Sequence, residues 1–257
     1  MRTDGPSLTA LGVAARRLAL TRPSSPTGDP GAEDRLARHL LDSAPAQAGW
    51  RSFTGWVVAR TIFFDAELMA ALAAGVPQIV LVGAGYDGRA LRFRTPGVRF
   101  FELDHPLTQG DKRQRLAAVG ARSDDVVFVA ADFVADDVGH ALQAAGHVAD
   151  RPTLFLCEGV LRYLPDDAIR SLLERTAQRA APGSTLAVSI TTRDPGTEPE
   201  ETRQQREARE AKLAALGEAV LTVPPRATAL GWVLAAGWTV VAVEDSGEGR
   251  LLVRATR

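Results

Sequence analysis

The sequence is poor in the residues that build many specialised proteins. Its 257 residues include a single cysteine, Cys157, so an intrachain disulfide framework is excluded and a reducing compartment is expected. The four histidines, His39, His105, His140 and His147, are scattered. No histidine, cysteine or acid pair stands at metal-ligand spacing, so no metal is expected. No apolar run approaches the roughly 20 residues that span a bilayer. Asp4, Gly5 and Pro6 precede any apolar run, which does not suit a signal peptide. The net charge is only -1, giving no general attraction to nucleic acid or to an anionic membrane. These absences leave a cytoplasmic enzyme as the expectation.

What is present suits a packed globular protein: 46% hydrophobic and 24% charged residues over a length that accommodates one large α/β domain with extensions. Helical patterns cover Ser7 to Leu20, Ala32 to Leu41 and about Phe53 to Ala74, with Pro23, Pro26, Gly28 and Pro30 between the first two and Gly75 and Pro77 closing the third. Residues 1–76 are therefore expected to form an N-terminal helical cap over one edge of a domain spanning 77–257. There the rhythm changes. Short apolar runs at Gln78–Val82, Val98–Leu103, Val126–Ala130, Thr153–Cys157 and Thr185–Ile190 read as buried strands. Helical patterns at Pro106–Val119, Asp137–Ala145 and Pro165–Ala181 lie between them, which predicts a doubly wound parallel sheet. A helix near Ala227–Ala236 precedes Trp238–Val243, a turn at Ser246–Gly249 and Leu251–Val253, a hairpin pattern. The expectation is an α/β, Rossmann-like fold with a mostly parallel seven-stranded sheet ending in an antiparallel hairpin. The charged stretch 193–212 reads as an exposed helix or loop, with a lid as the alternative.

Chemistry-bearing residues cluster at the ends of the strands. Gly83-Ala84-Gly85-Tyr86-Asp87-Gly88 has G-x-G-x-x-G spacing, which lets backbone approach a nucleotide, although a tight turn alone also uses glycine. Glu102 and Asp104 end the second strand on one face. Either can accept two hydrogen bonds from a ribose diol, or cap the helix opening at Pro106. Asp132-Phe133 follows the third strand, where an acid and an aromatic suit adenine, or a loop acid precedes a helix. Glu158 follows the fourth strand. Its carboxylate at the core's edge needs a partner, either a cofactor cation or a nearby arginine.

Taken in order, the Gly83–Arg89 loop, Glu102-Leu103-Asp104-His105-Pro106, Lys112, Asp132 and Glu158-Gly159-Val160-Leu161-Arg162-Tyr163-Leu164 resemble the leucine carboxyl methyltransferase-like family of class I S-adenosylmethionine-dependent methyltransferases, of the actinobacterial or polyketide O-methyltransferase type. The resemblance covers roughly Ser7 to Ser189. It implies S-adenosylmethionine as cofactor, with Arg60 on the methionine carboxylate and Gly83 in the cofactor loop. It further implies Asp104 on the ribose, Asp132 and Phe133 at the adenine, Glu158 near the amino group, and Tyr163 on the acceptor side. Two positions depart from the pattern. Gly88 replaces a threonine, so a looser turn is expected, and Arg162 replaces an apolar residue, as a surface group or a partner for an acidic substrate.

The expected reaction is direct displacement onto an oxygen of a small natural-product-type acceptor. No histidine stands in a context that marks a base, which favours a carboxylate or an acidic hydroxyl. N- or C-methylation, an NAD-dependent oxidoreductase and a non-catalytic cofactor-binding protein are the alternatives.

Overall fold

The computed structural model describes residues 7–42, 54–196, 200–215 and 217–257. Three helices open the chain: α1 (Leu8–Arg17), α2 (Pro30–Asp42) and α3 (Thr54–Ala73). The α3 start expected near Phe53 lies outside the described residues. Then follow β1 (Gln78–Val82), α4 (Arg89–Arg92), β2 (Arg99–Asp104), α5 (Pro106–Ala118), β3 (Val126–Ala130), α6 (Val138–Ala144) and β4 (Thr153–Cys157). A 3-10 turn (Leu161–Tyr163), α7 (Asp166–Gln178), β5 (Thr185–Thr191), α8 (Glu200–Ala215), α9 (Arg226–Ala235), β6 (Thr239–Asp245) and β7 (Arg250–Thr256) complete it.

The seven strands form one sheet in the order β3-β2-β1-β4-β5-β7-β6. The first five are parallel, and β7 pairs antiparallel with both β5 and β6. All five residues of β1 and of β4 are buried, because helices cover both faces and an apolar run is then needed on each. One face carries Val80, Val82, Phe101, Leu103 and Phe155 against α6, α7 and α9. The other carries Ile79, Leu81, Phe100, Leu154 and Leu156 against α1 to α5. The opening helices thus share a core with the sheet and cover a face of it. Two of its own residues explain why: Phe64 and Leu68 of α3 are completely buried there.

Local caps fix where the helices start. Ser7 accepts a hydrogen bond from the Ala10 amide at the head of α1. Pro106 opens α5 behind His105, whose Nδ1 accepts from the Leu107 amide, so this histidine serves the helix start. Asp137 does the same for α6 through the His140 amide. Residues 200–212 of the charged stretch lie in α8, with Glu200, Arg203 and Gln204 bonded along its exposed side. Among the described residues no helix is long and apolar enough to cross a membrane.

Candidate active site

Strand order reverses between β1 and β4, and in open parallel sheets the loops at that switch leave a crevice beyond the carboxyl ends. A cleft of about 120 Å³ lies there, lined by the Gly83–Asp87 loop, Asp104, Glu158–Val160, Tyr163 and Arg60. Arg60 and Asp104 therefore face one cleft. Asp104 ends β2 and Glu158, the partner of Arg60, follows β4, with β1 between them. Two strand spacings put the two ends about 10 Å apart across the sheet.

The loop is shaped by glycine at two points. Gly83 has φ +66°, and a Cβ there would collide with Val160 of the β4 loop. Gly88 backs onto the side chain of Glu33, which a Cβ would strike. The looser turn expected from Gly88 is not what the chain does with it: the space admits Glu33, which pairs with Arg22 and Arg92. Asp104 steadies the same loop by accepting from the Gly85 amide, and its other oxygen accepts from the His105 amide at 2.6 Å. Glu102 goes elsewhere. It is buried against Lys112 Nζ at 2.5 Å, and Lys112 also donates to the Asp87 carbonyl. Burial pushes Glu102 up to about 7 despite the lysine. Of the two candidate acids, Asp104 is the one on the cleft.

Glu158 is surrounded by three guanidinium groups. Arg60 Nε reaches Oε1 at 2.8 Å, while Arg17 Nη2 and Arg89 Nη1 reach Oε2 at 2.7 and 2.5 Å. Burial raises its pKa, but Arg17, Arg89 and Arg60 together outweigh burial and hold it well below the ordinary carboxylate value. Seen from Arg60 the balance has the opposite sign: burial, with repulsion from Arg17, exceeds the attraction of Glu158 and lowers it. The two views agree once the sharing is counted, because one carboxylate divided among three cations satisfies itself better than any of them. Arginine stays charged in proteins, so Arg60 is an under-neutralised cation.

Arg17 and Arg89 were not anticipated as site residues. Arg89 is completely buried and binds Asp65, Asp87 and Glu158 at once. A signal existed in Asp65, a lone acid within the apolar Ile62-Phe63-Phe64-Asp65-Ala66 run of α3, which demands a cation. Arg17 reaches Asp87 and Glu158 from α1, and no sequence spacing links those positions.

Asp132 and Phe133 are not among the cleft-lining residues. Asp132 accepts from the Val134 amide and lies 4.0 Å from His105 Nε2, while the Phe133 ring is buried in the core. Tyr163 lines the cleft, and its hydroxyl has no hydrogen-bond partner among the described residues.

α1 roofs the cleft with Ala10, Val13 and Arg17. Its far end is held by Glu218, another residue not anticipated, whose two oxygens accept from the Leu8 and Thr9 amides at 2.8 and 2.9 Å. A carboxylate at a helix N-terminus satisfies open amides and suits the helix dipole. Glu218→Ala is expected to cost about 1 kcal/mol at this cap and so to speed amide exchange along α1 about fivefold. Unchanged exchange would show that α1 is held by its apolar face alone.

Three properties of the cleft fit S-adenosylmethionine. The Arg60 outer nitrogens are not used by Glu158, and Arg17 Nε is buried without a partner. Asp104 has two of its roughly four lone-pair sites occupied, leaving two for a diol. Arg60 pairs with Glu158 alone, and Arg17 and Arg89 share that carboxylate, so Arg60 keeps positive charge on the cleft for an α-carboxylate. Among the described residues no group of three or more metal-ligating side chains forms.

This sheet order, with its antiparallel seventh strand and a cleft at the β1–β4 switch, defines a class I methyltransferase fold. The sequence profile of the leucine carboxyl methyltransferase family matches residues 10–177. A Rhodococcus jostii (strain RHA1) protein named as an S-adenosyl-L-methionine-dependent methyltransferase is 39% identical over 210 residues, covering 73% of this chain and 69% of that one. A Mycolicibacterium smegmatis protein of the same description is 35% identical over 274 residues, covering 96% and 85%. A methyltransferase structure from Thermobifida fusca YX aligns with TM-score 0.62 at 16% identity, over 99% and 96% of the two chains, and shows the shared fold. The chain belongs to the leucine carboxyl methyltransferase family and is an S-adenosylmethionine-dependent methyltransferase. That membership displaces the NAD-dependent and non-catalytic alternatives.

Proposed function

We propose that this chain methylates an oxygen of a small acceptor, a carboxylate or an acidic hydroxyl. The observation that carries the reading is the composition of the cleft. No histidine lines it among the described residues, and its acids Asp87, Asp104, Glu158 and Glu218 already hold cations or amides. A cleft without a disengaged base suits an acceptor already ionised at neutral pH, as a carboxylate is.

Bound S-adenosylmethionine supplies a methyl group already activated on a sulfonium. The chain's residues then orient and enclose. Arg60 takes the methionine carboxylate, with Glu158 holding the guanidinium in place and offering negative charge toward the amino group. Asp104 takes the ribose while keeping the Gly85 amide in position. Asp132 remains the residue assigned to the adenine amine, with the exposed Val134, whose amide it holds, beside it. Phe133 contributes its place in the chain, since its ring is occupied by the core. α1 covers the cleft with Ala10, Val13 and Arg17 and so shields it from water. Proximity and alignment can supply roughly 7–11 kcal/mol of such a displacement.

Tyr163 stands on the acceptor side. Tyr163→Phe is expected to lower acceptor turnover about tenfold, the worth of one hydrogen bond, while leaving S-adenosylhomocysteine affinity within about twofold. The reverse pattern would move Tyr163 to the cofactor. Methyl-labelled S-adenosylmethionine incubated with panels of carboxylic acids, phenols and amines tests the reaction itself. Labelled esters or aryl ethers are expected, and label confined to amines would overturn the assignment of oxygen as the acceptor atom.

A further inference from the structure

We propose that Arg162, Arg193 and Arg206 form an anchoring site for a carboxylate group carried by the methyl acceptor, and that Glu210 is its internal stand-in. The proposal rests on the methyltransferase reading above and adds a charge requirement on the acceptor.

Arg162 lies in the 3-10 turn after β4, beside Tyr163, and Arg193 lies two residues beyond the end of β5. Both therefore stand at the carboxyl rim of adjacent strands, where an open parallel sheet receives its ligands. α8 brings Arg206 and Glu210 over them. Arg206 Nη1 reaches Glu210 Oε2 at 2.9 Å, while Arg193 and Arg162 reach Oε1 at 3.3 and 3.8 Å. Three guanidinium groups converge on Glu210, and Arg206 also pairs with the exposed Glu207.

Arg162 is the least satisfied of the three. Its distance of 3.8 Å to Glu210 is beyond hydrogen-bond range. Its Nε is buried with no partner, and its side chain makes no hydrogen bond among the described residues. A largely buried guanidinium in that state is costly unless an anion completes it. The Arg162 side chain lines a small neighbouring pocket with Thr222 and Trp232, while the next residue, Tyr163, lines the cleft. The Arg162 carbonyl accepts from the Leu221 and Thr222 amides, on the segment that places Glu218 in the cleft. The methionine carboxylate has its own guanidinium in Arg60, so this second cationic site falls to the acceptor. A planar carboxylate matches the forked donors of arginine.

Calorimetric titration of the S-adenosylhomocysteine complex with benzoate, its uncharged isostere benzamide, and inorganic phosphate tests the assignment. Benzoate is expected to bind at least about tenfold more tightly than benzamide, by the worth of one charge-assisted contact. The Arg162→Gln/Arg193→Gln variant is expected to lose that preference while keeping S-adenosylhomocysteine affinity. Glu210→Gln, which removes the competing carboxylate, is expected to tighten benzoate several-fold. Equal binding of benzoate by wild type and both variants overturns the proposal, as does binding of phosphate but not benzoate. Failure of the wild type to bind S-adenosylhomocysteine would instead strike the cofactor reading, and the variant dependence of benzoate binding still decides the anchor.

Discussion

Arg89→Leu is expected to destabilise the protein by about 3–5 kcal/mol, the usual cost of removing one partner from a buried ion network. For a chain of this size that lowers the melting temperature by on the order of 10 °C. Arg89 has no exposed surface, and three carboxylates from three parts of the chain converge on it: Asp65 from α3, Asp87 from the glycine loop and Glu158 from beyond β4. After the change Asp65 retains Arg22, Asp87 retains Arg17 at 3.1 Å, and Glu158 retains Arg17 and Arg60. Each acid is left with fewer donors, and Asp65 is buried where water cannot replace the lost one.

The variant also has a pH signature. Burial raises Asp87 and Glu158, but Arg17 and Arg89 dominate and hold both below the ordinary carboxylate value. A depressed carboxylate contributes stability that is present above its unfolded pKa, near 4, and is lost as pH falls through the lower folded value. Without Arg89 the folded values rise, so acid unfolding is expected to begin at a higher pH. An unchanged melting temperature and acid midpoint would mean that the remaining arginines carry the network, and that Arg89 is replaceable by packing.

The five parallel strands were legible as short apolar runs, and β1 and β4, buried on both faces, have no alternation to misread, whereas the order in which the strands pair is a property of the folded sheet alone. The antiparallel end was legible for a similar reason: Ser246–Gly249 is a turn between two β-rich runs, observed as the β6–β7 hairpin with a bulge between Val240 and Ala242. The four-residue α4 and the 3-10 turn at Leu161–Tyr163 were not, since neither is long enough to show a period. In the site, Gly83 and Glu158 stood out from their own segments, while the choice of Asp104 over Glu102 and the inclusion of Tyr163 came only with the family resemblance; all four line the cleft. What escaped was pairing at long range. Arg17 meets Glu158 and Glu218 meets Leu8 across most of the chain, and only the folded backbone brings them together. Phe133 is the instructive intermediate: an aromatic beside a candidate adenine acid has the right chemistry, yet the core claims its ring.

Asp104→Ala is expected to weaken S-adenosylhomocysteine binding by about 100-fold, the worth of two hydrogen bonds to a charged acceptor at roughly 1.5 kcal/mol each. The size follows from geometry. Asp104 is the acid of β2 that lines the cleft, whereas Glu102 is committed to Lys112. It also holds the Gly85 amide, so its loss acts twice, once on the diol and once on the loop that receives the nucleoside. Burial raises the Asp104 pKa, against the pull of the Gly85 and His105 amides. A ribose diol donating to the ionised form adds to that pull, so cofactor binding and ionisation of Asp104 reinforce each other. Asp104→Asn separates the two contributions, because the amide oxygen still accepts from one backbone donor while the charge is gone. Its affinity is expected to fall between wild type and alanine, with circular dichroism unchanged in both variants. If alanine at 104 binds S-adenosylhomocysteine as wild type does, the nucleoside end of the cleft has been placed on the wrong strand, and Glu102 with its lysine becomes the residue to change next.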